Sequence, residues 1–258
     1  MILVFGGTTE GKIVASILEK EHLRYFYSTK TEIEFDTREF GRYRFGAFTN
    51  KDLIEFCTKN NVKVIIHASH PFAEELHKTI FEASSNLNIP VIRFERTYTE
   101  KSTNELIQYV TSYENAIDFL ISNKIQSLLA LTGVQTIVKL KPFWKNYKTI
   151  FRILPRDSSL SVALEQEFPK ENLILEFPSD DLNYELDVVL KSNCEAVITK
   201  ESGNSGFLDT KIKVALMTKT PLIIIQKPVL PSTFISVKNK EALVENIFNY
   251  IKRKIVRL

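Results

Sequence analysis

The stretch ILVFGGTTEGKIVASIL (Ile2–Leu18) decides the fold. Ile2 to Phe5 is an unbroken apolar run, as a strand buried on both faces of a parallel sheet requires. Gly6, Gly7 and Gly11 follow at once, and from Lys12 to Glu21 the apolar positions Ile13, Val14, Ile17 and Leu18 recur at helical spacing. A strand, a glycine turn and an amphipathic helix in succession open a βαβ unit. At such a turn backbone N–H groups can approach a diphosphate, and the positive end of the helix dipole stabilises its charge. Gly6 and Gly11 match the outer positions of G-x-G-x-x-G, but Thr8 stands at the middle one. A plain strand-to-helix turn capped by Thr8 or Thr9 therefore stays open beside the nucleotide reading. Glu10 would repel a phosphate at close range, so it is expected to hold the loop or to reach a sugar hydroxyl.

Outward from this segment the alternation continues. Leu23–Tyr27 reads as a strand, Asp52–Lys59 as a helix, Val62–Ala68 as a strand, Phe72–Leu87 as a helix and Val91–Phe94 as a strand. The polar stretch ERTYTEKSTNE (Glu95–Glu105) then interrupts the pattern and is the expected hinge. Beyond it come a helix near Tyr113–Asn123, strands at Ser127–Thr132 and Thr149–Leu154, and a helix near Ser159–Glu167. A strand at Leu173–Glu176, a helix at Asp181–Lys191, a strand at Ala196–Thr199, a helix at Asp209–Met217 and a strand at Pro221–Gln226 follow, before a terminal helix carrying Leu243, Val244, Ile247, Phe248 and Ile251. Strands alternating with helices imply an α/β fold with parallel sheets flanked by helices. Two Rossmann-like domains, 1–97 and 98–258, with a ligand cleft between them, fit the length better than one sheet of nine or ten strands.

The 258 residues include only 8 glycines, about 3% against a usual figure near 7%. Gly6, Gly7, Gly11, Gly133, Gly203 and Gly206 all follow predicted strands, on the edge where ligands bind; Gly41 and Gly46 are explained only as turns around a candidate extra strand. The net charge of +3 points to neither a nucleic-acid nor a membrane surface and is compatible with an anionic small ligand. Two distant cysteines, Cys57 and Cys194, argue for reduced thiols and against a disulfide framework or a zinc site. MILVFGG has neither the basic region nor the apolar length of a signal peptide or membrane span, so a cytoplasmic protein is expected.

Several strand ends carry residues suited to binding. After the second strand stand Tyr27, Ser28, Thr29 and Lys30, where an NAD-selective fold would usually place an acid on the ribose 2′-hydroxyl. Two hydroxyls and a cation suit a 2′-phosphate, hence NADPH over NADH; the alternative is a plain polar loop. HASHPFAEELH contains His67, His70 and His77, but with His67 on a strand and His77 on the next helix the rings are expected to diverge, so no metal site is assigned. Ser69 and His70 sit at a strand's carboxyl end as ligand candidates, Pro71 suits the first helical position, and His67 reads as a core histidine. In the second half Thr132 and Gly133 end one strand, and Arg152 and Arg156 flank another. Lys200, Glu201, Ser202, Gly203, Ser205 and Gly206 follow a third, with Lys211 in the next helix. Glycines with cations at a strand end read as an anion-binding loop, against an ordinary flexible turn. A second nucleotide or a multiply carboxylated substrate would suit it.

The ordered set GGTTEGK, ASHPFA, LTG, RILP, TKESGNSG with its following lysine, and IIIQKP resembles the precorrin-6A reductases of cobalamin biosynthesis (CbiJ/CobK) across nearly the whole chain. The resemblance implies two Rossmann-like domains, the first binding NADPH and the second the substrate. It also implies reduction of one macrocycle double bond of precorrin-6A, or its cobalt complex, to the 6B form. By position, Gly6, Gly7, Thr8 and Glu10 match the family's nucleotide loop, Ser28 to Lys30 the adenosine-phosphate region and Ser69–His70 its T-H-P turn. Lys200, Ser202, Gly203, Gly206 and Lys211 match its C-terminal motif near the substrate, whose carboxylates Arg152, Lys200 and Lys211 would meet. The sequence departs from the family at Thr9 and Gly11, and at Lys227, where an arginine is common. No residue is an unambiguous catalytic acid or nucleophile, so the expected contribution of the protein is orientation and electrostatics. The expected partners are a tetrapyrrole and neighbouring pathway enzymes. Two alternatives stand: a non-catalytic nucleotide- or tetrapyrrole-binding module, and another NADPH-dependent Rossmann reductase. The latter predicts Tyr-x-x-x-Lys, and Tyr250 with Lys254 at the chain's end is the one such pair.

Overall fold

The computed structural model describes residues 1–36 and 38–253. The chain begins with β1 (Ile2–Phe5), α1 (Thr9–Lys20), β2 (Tyr25–Thr29), β3 (Gly41–Phe45), α2 (Asn50–Lys59), β4 (Val64–His67), α3 (Glu74–Leu87) and β5 (Val91–Phe94). It continues with β6 (Ile107–Val110), α4 (Tyr113–Ser122), β7 (Ser127–Ala130), α5 (Lys141–Trp144), β8 (Lys148–Ile153) and α6 (Asp157–Glu165). Then follow β9 (Leu173–Leu175), α7 (Leu182–Ser192), β10 (Ala196–Lys200), α8 (Leu208–Thr218), β11 (Leu222–Ile225), β12 (Ile235–Val237) and α9 (Lys240–Arg253). None of the described helices is long and apolar enough to cross a membrane.

Two six-stranded parallel sheets result, ordered β12-β5-β4-β1-β2-β3 and β6-β11-β10-β7-β8-β9. All four residues of β1, β4, β5, β7 and β11 are buried, as central strands covered on both faces must be. Burying each such aliphatic side chain contributes roughly 1.5–3 kcal/mol. The strand order reverses between β1 and β4 in one sheet and between β7 and β10 in the other. The crevice outside the carboxyl ends at such a reversal is where open α/β sheets bind ligands.

The two compact units are Met1–Thr97 with the segment from Pro228 onward, and Tyr98–Lys227. This corrects the expectation that 98–258 form one domain. β12 returns to the first sheet and pairs with β5, Ile235 opposite Ile92 and Val237 opposite Phe94, while β6 caps β11 in the second. The first sheet thus takes its sixth strand, β12, from beyond β11, the last strand of the second sheet. The physical reason is burial: Val237, Leu243 and Ile247 complete the core built by Val4, Val14, Val64 and Ile92.

β12 and the short α5 were not expected, and three further elements differ from expectation. β3 (GRYRF) has no apolar run, so its register with β2 decides it as a strand: Tyr25–Thr29 lie opposite Gly41–Phe45, and this pairing carries β2 on to Thr29. β6 lies directly after the polar hinge. α3 begins at Glu74 instead of Phe72, so Pro71 stands in the preceding turn and not at the first helical position. Lys254, the partner of Tyr250 in the Tyr-x-x-x-Lys spacing, lies outside the described residues.

Candidate functional site

The glycine loop after β1 is built around Tyr27. Its ring lies so close under Gly6 that a Cβ there would meet the ring at 2.2 Å, and a Cβ on Gly11 would lie 2.7 Å from both the Tyr27 hydroxyl and the Gly6 Cα. The two glycines therefore let α1 pack onto the strand end, and Gly7, at φ +85°, turns the chain and donates its N–H to the Tyr27 hydroxyl at 2.9 Å. Burial pushes that phenol's pKa up, which keeps it neutral. Thr8, and not Thr9, caps α1: its Oγ1 accepts the Gly11 N–H at 3.1 Å and donates to the Ala68 carbonyl at 2.6 Å. That second bond ties the loop to the end of β4, across the strand-order reversal. Glu10 is buried and pairs with Arg96 at 3.1 Å. The carboxylate thus holds the loop to the segment after β5, and its charge is balanced within the protein.

At the end of β2, Ser28 and Thr29 are buried within the strand, so they are not part of a polar loop. The Thr29 hydroxyl bonds the Thr31 carbonyl at 2.7 Å and the Tyr43 hydroxyl at 2.9 Å, and Lys30 is exposed. Ser28 Oγ accepts from Arg44 Nη1 at 2.7 Å, a residue of the unexpected strand β3.

At the end of β4 the structure overturns the expected divergence of the histidines. His67 Nε2 lies 2.8 Å from His77 Nδ1, because the first turn of α3 packs back onto the strand. His77 Nε2 donates to the Pro71 carbonyl at 2.7 Å, and Ser69 Oγ lies 3.2 Å from His67 Nδ1. Burial lowers the pKa of both rings, that of His67 well below the usual value, and the nearby Arg93 lowers both further. Arg93 is itself 1% exposed; it bonds Glu95 at 2.7 Å and the Ser69 carbonyl at 2.9 Å. His70 accepts the Phe72 N–H on Nδ1 at 3.2 Å. In its neutral form it therefore carries its proton on Nε2. Among the described residues no group of three or more His, Cys, Asp or Glu could hold a metal ion.

In the second unit, Gly133 at φ +82° and Gly203 at φ +66° turn the chain after β7 and β10, on either side of the reversal. The Thr132 hydroxyl meets that of Thr136 at 2.6 Å, which in turn donates to the Gly133 carbonyl. Lys200 is half-buried at the end of β10. Glu201 is buried, accepts the Lys227 N–H at 2.9 Å and so fixes the loop to the segment after β11. Gly206 packs on Ser202, where a Cβ would meet Oγ at 2.0 Å. Lys211 is buried beneath this loop and donates to the Gly206 carbonyl at 2.7 Å. Burial, with Arg152 nearby, pulls its pKa down to about 8. Arg152 is also buried, its guanidinium 2.7 Å from Glu185, which further accepts the Ser179 N–H. Arg152 and Lys211 are therefore interior groups supporting the loop, not surface cations, whereas Arg156 is exposed.

Sequence reasoning missed Tyr27 as the floor of the loop, Arg96 as the partner of Glu10, Arg44, His77, and Glu185. Each is recognisable only through a partner on another element. For Glu185 the spacing on α7 offered a faint signal, an acid on the face that carries Val188 and Val189.

The model of the family described as Precorrin-6x reductase CbiJ/CobK matches residues 1–251. A cobalt-precorrin-6A reductase of Methanococcus maripaludis is 31% identical over 264 residues, covering 97% of this chain and 98% of that protein. A cobalt-precorrin-6A reductase of Priestia megaterium is 28% identical over 235 residues, covering 88% and 91%. Among solved structures, CobK precorrin-6A reductase superposes with a TM-score of 0.79 at 18% identity and 96% coverage of both chains, which is a likeness of fold.

Proposed function

The chain belongs to the precorrin-6x reductase CbiJ/CobK family, and on that basis we propose that it reduces a double bond in the macrocycle of precorrin-6A, or its cobalt complex, with NADPH. The observation that carries this reading is the family match over residues 1–251, joined to a glycine loop at the strand-order reversal of the first sheet.

The residues present fit a nicotinamide dinucleotide. Gly6 and Gly11 let α1 pack close onto the end of β1, and the first turn of α1 thereby presents N–H groups at the sheet edge where a diphosphate would lie. Gly6, Gly7, Thr8 and Gly11 shape that loop, Glu10 holds it, and Ser28, Thr29 and Lys30 lie toward the adenosine end. Ser69 and His70 face the same edge from β4. Bound there, the reduced nicotinamide supplies a hydride. The protein's own part is to orient the two reactants and exclude water.

For the substrate's carboxylates we assign Thr132, Gly133, Lys200, Glu201, Ser202, Gly203 and Gly206, with Lys211 and Arg152 supplying positive charge from beneath the loop. Charge-assisted hydrogen bonds from Lys200 would order a polyanionic ligand and set its register, while Lys211 and Arg152 act from within. Both cysteines are free, and burial raises the Cys57 thiol to about 12, which keeps it protonated at neutral pH. The test is anaerobic mixing of the purified protein with NADPH and either precorrin-6A or its cobalt complex, following loss of reduced-nicotinamide absorbance. Stoichiometric oxidation with a shift of the macrocycle spectrum supports the reading. Binding of both compounds without turnover replaces it with a carrier or sensor.

A further inference from the structure

Among the described residues, the buried arginines Arg93, Arg96 and Arg152 each face a carboxylate, of Glu95, Glu10 and Glu185 respectively. Arg44 does not: among the described residues no carboxylate lies within ion-pair distance of it. It is nevertheless held firmly. Its Nη1 donates to Ser28 Oγ at 2.7 Å, its Nη2 donates to the carbonyls of Phe45 and Gly46 at 2.8 Å each, and its guanidinium carbon sits 3.8 Å from the centre of the Phe48 ring. A guanidinium has five N–H donors, so three are engaged and two remain. Ordering a long side chain costs rotamer entropy, and an ordered cation with no counter-charge is an arrangement that an incoming anion completes.

The location identifies that anion. β1, β2 and β3 are neighbours, with Phe5 opposite Ser28 and Ser28 opposite Arg44. A diphosphate on the β1 loop places the adenosine ribose over the end of β2, and in NAD-selective sites an acid there takes the 2′-hydroxyl. Here that position is Ser28, and its hydroxyl is bound to the next strand's guanidinium. An aspartate at 28 would cancel the charge on Arg44; a serine binds the guanidinium and leaves its charge uncancelled.

We propose that Arg44 reads the cofactor's 2′-phosphate, and that the Ser28–Arg44 pair, more than Lys30, sets the preference for NADPH over NADH. This rests on the nicotinamide reading of the first unit. Arg44 is a specificity-determining residue on a strand without apolar patterning. Its two remaining N–H groups, one on Nε and one on Nη1, are held in place by the other three bonds as donors to phosphate oxygens, which those of an exposed lysine are not.

The test is calorimetric titration of NADP⁺ and NAD⁺ into the wild-type protein and the Arg44→Gln, Arg44→Lys and Ser28→Asp variants, with the thermal midpoint of each as a folding control. Arg44→Gln should weaken NADP⁺ about 10- to 100-fold, the scale of lost charge-assisted hydrogen bonds, and leave NAD⁺ within about twofold. Arg44→Lys, which keeps the charge and loses the positioned guanidinium donors, should fall between, and Ser28→Asp should invert the preference. Equal weakening of both dinucleotides in a folded Arg44→Lys protein would assign the residue a purely structural role and overturn the proposal. So would an unchanged ratio in all three variants. A wild type that binds neither dinucleotide overturns the nicotinamide reading itself.

Discussion

His67 Nε2 and His77 Nδ1 lie 2.8 Å apart in the interior, and the bonds on either side fix which atom carries the proton. His77 Nε2 donates to a carbonyl, so its Nδ1 accepts; His67 Nε2 therefore donates, and its Nδ1 accepts from Ser69. Both rings must be neutral. Their pKa values are lowered from 6.5 by burial, so between the folded value and 6.5 the unfolded chain binds more protons than the native one. This contribution to stability is complete above about pH 6.5 and is lost as the pH falls below it. Urea midpoints measured from pH 7.5 down to 5 should fall on the acid side, and His77→Ala should be flatter there. At neutral pH that variant should be less stable by ~1–3 kcal/mol, the cost of stranding a buried partner.

Gly11→Ala tests the packing of the glycine loop. The added methyl would meet the Gly6 Cα and the Tyr27 hydroxyl, an overpacking that costs about 1–3 kcal/mol. Dinucleotide affinity should drop with it. Adding Tyr27→Phe removes one of the two clashes and should restore part of the thermal midpoint; no recovery would mean that the Gly6 contact alone sets the spacing.

Glu185→Ala leaves Arg152 and Lys211 buried without their carboxylate. Loss of one partner from a buried pair costs about 3–5 kcal/mol. Chemical denaturation should show a loss of that order, and an Arg152→Met, Glu185→Leu double variant should recover most of it.

Lys211 titrates near 8 in the folded protein against 10.5 ordinarily. Between those values the unfolded chain carries the extra proton, so this lysine's contribution to stability rises with pH across that window. The difference in denaturation midpoint between wild type and Lys211→Met should grow in favour of wild type from about pH 8 upward. A difference that stays constant from pH 7 to 10 would place the titration elsewhere.

Lys200→Ala should raise the KM for the tetrapyrrole by about tenfold, the loss of one charge-assisted hydrogen bond, and leave NADPH affinity unchanged. Loss of NADPH binding instead would move Lys200 to the nucleotide site.

The alternation of apolar runs and amphipathic helices made the parallel α/β architecture legible, and the ordered motifs made the family legible. β3 and β12 were not, because GRYRF and ISV are too short or too polar to stand out. They are strands because β2 and β5 present unpaired edges to them. A cap at Thr8 or Thr9 could be read from the place before a helix, and the structure decides for Thr8. Glu10 could be narrowed to holding the loop or meeting a sugar, and only the position of Arg96 decides for the first.

By itself the sequence determined what local chemistry enforces: where chain direction changes, which runs must be buried, and which glycines stand at strand ends. Only the tertiary structure decided which charges are available. Arg152, Lys211 and Arg44 are alike as cations in a sequence, yet Arg152 faces Glu185, Lys211 lies under the Gly206 carbonyl, and Arg44 meets no carboxylate among the described residues. It also decided that residues from Pro228 onward complete the first unit instead of the second. The reason is the same in each case: ion pairs and strand partners join residues far apart in the chain, and their energy depends on distance and burial that no short segment specifies.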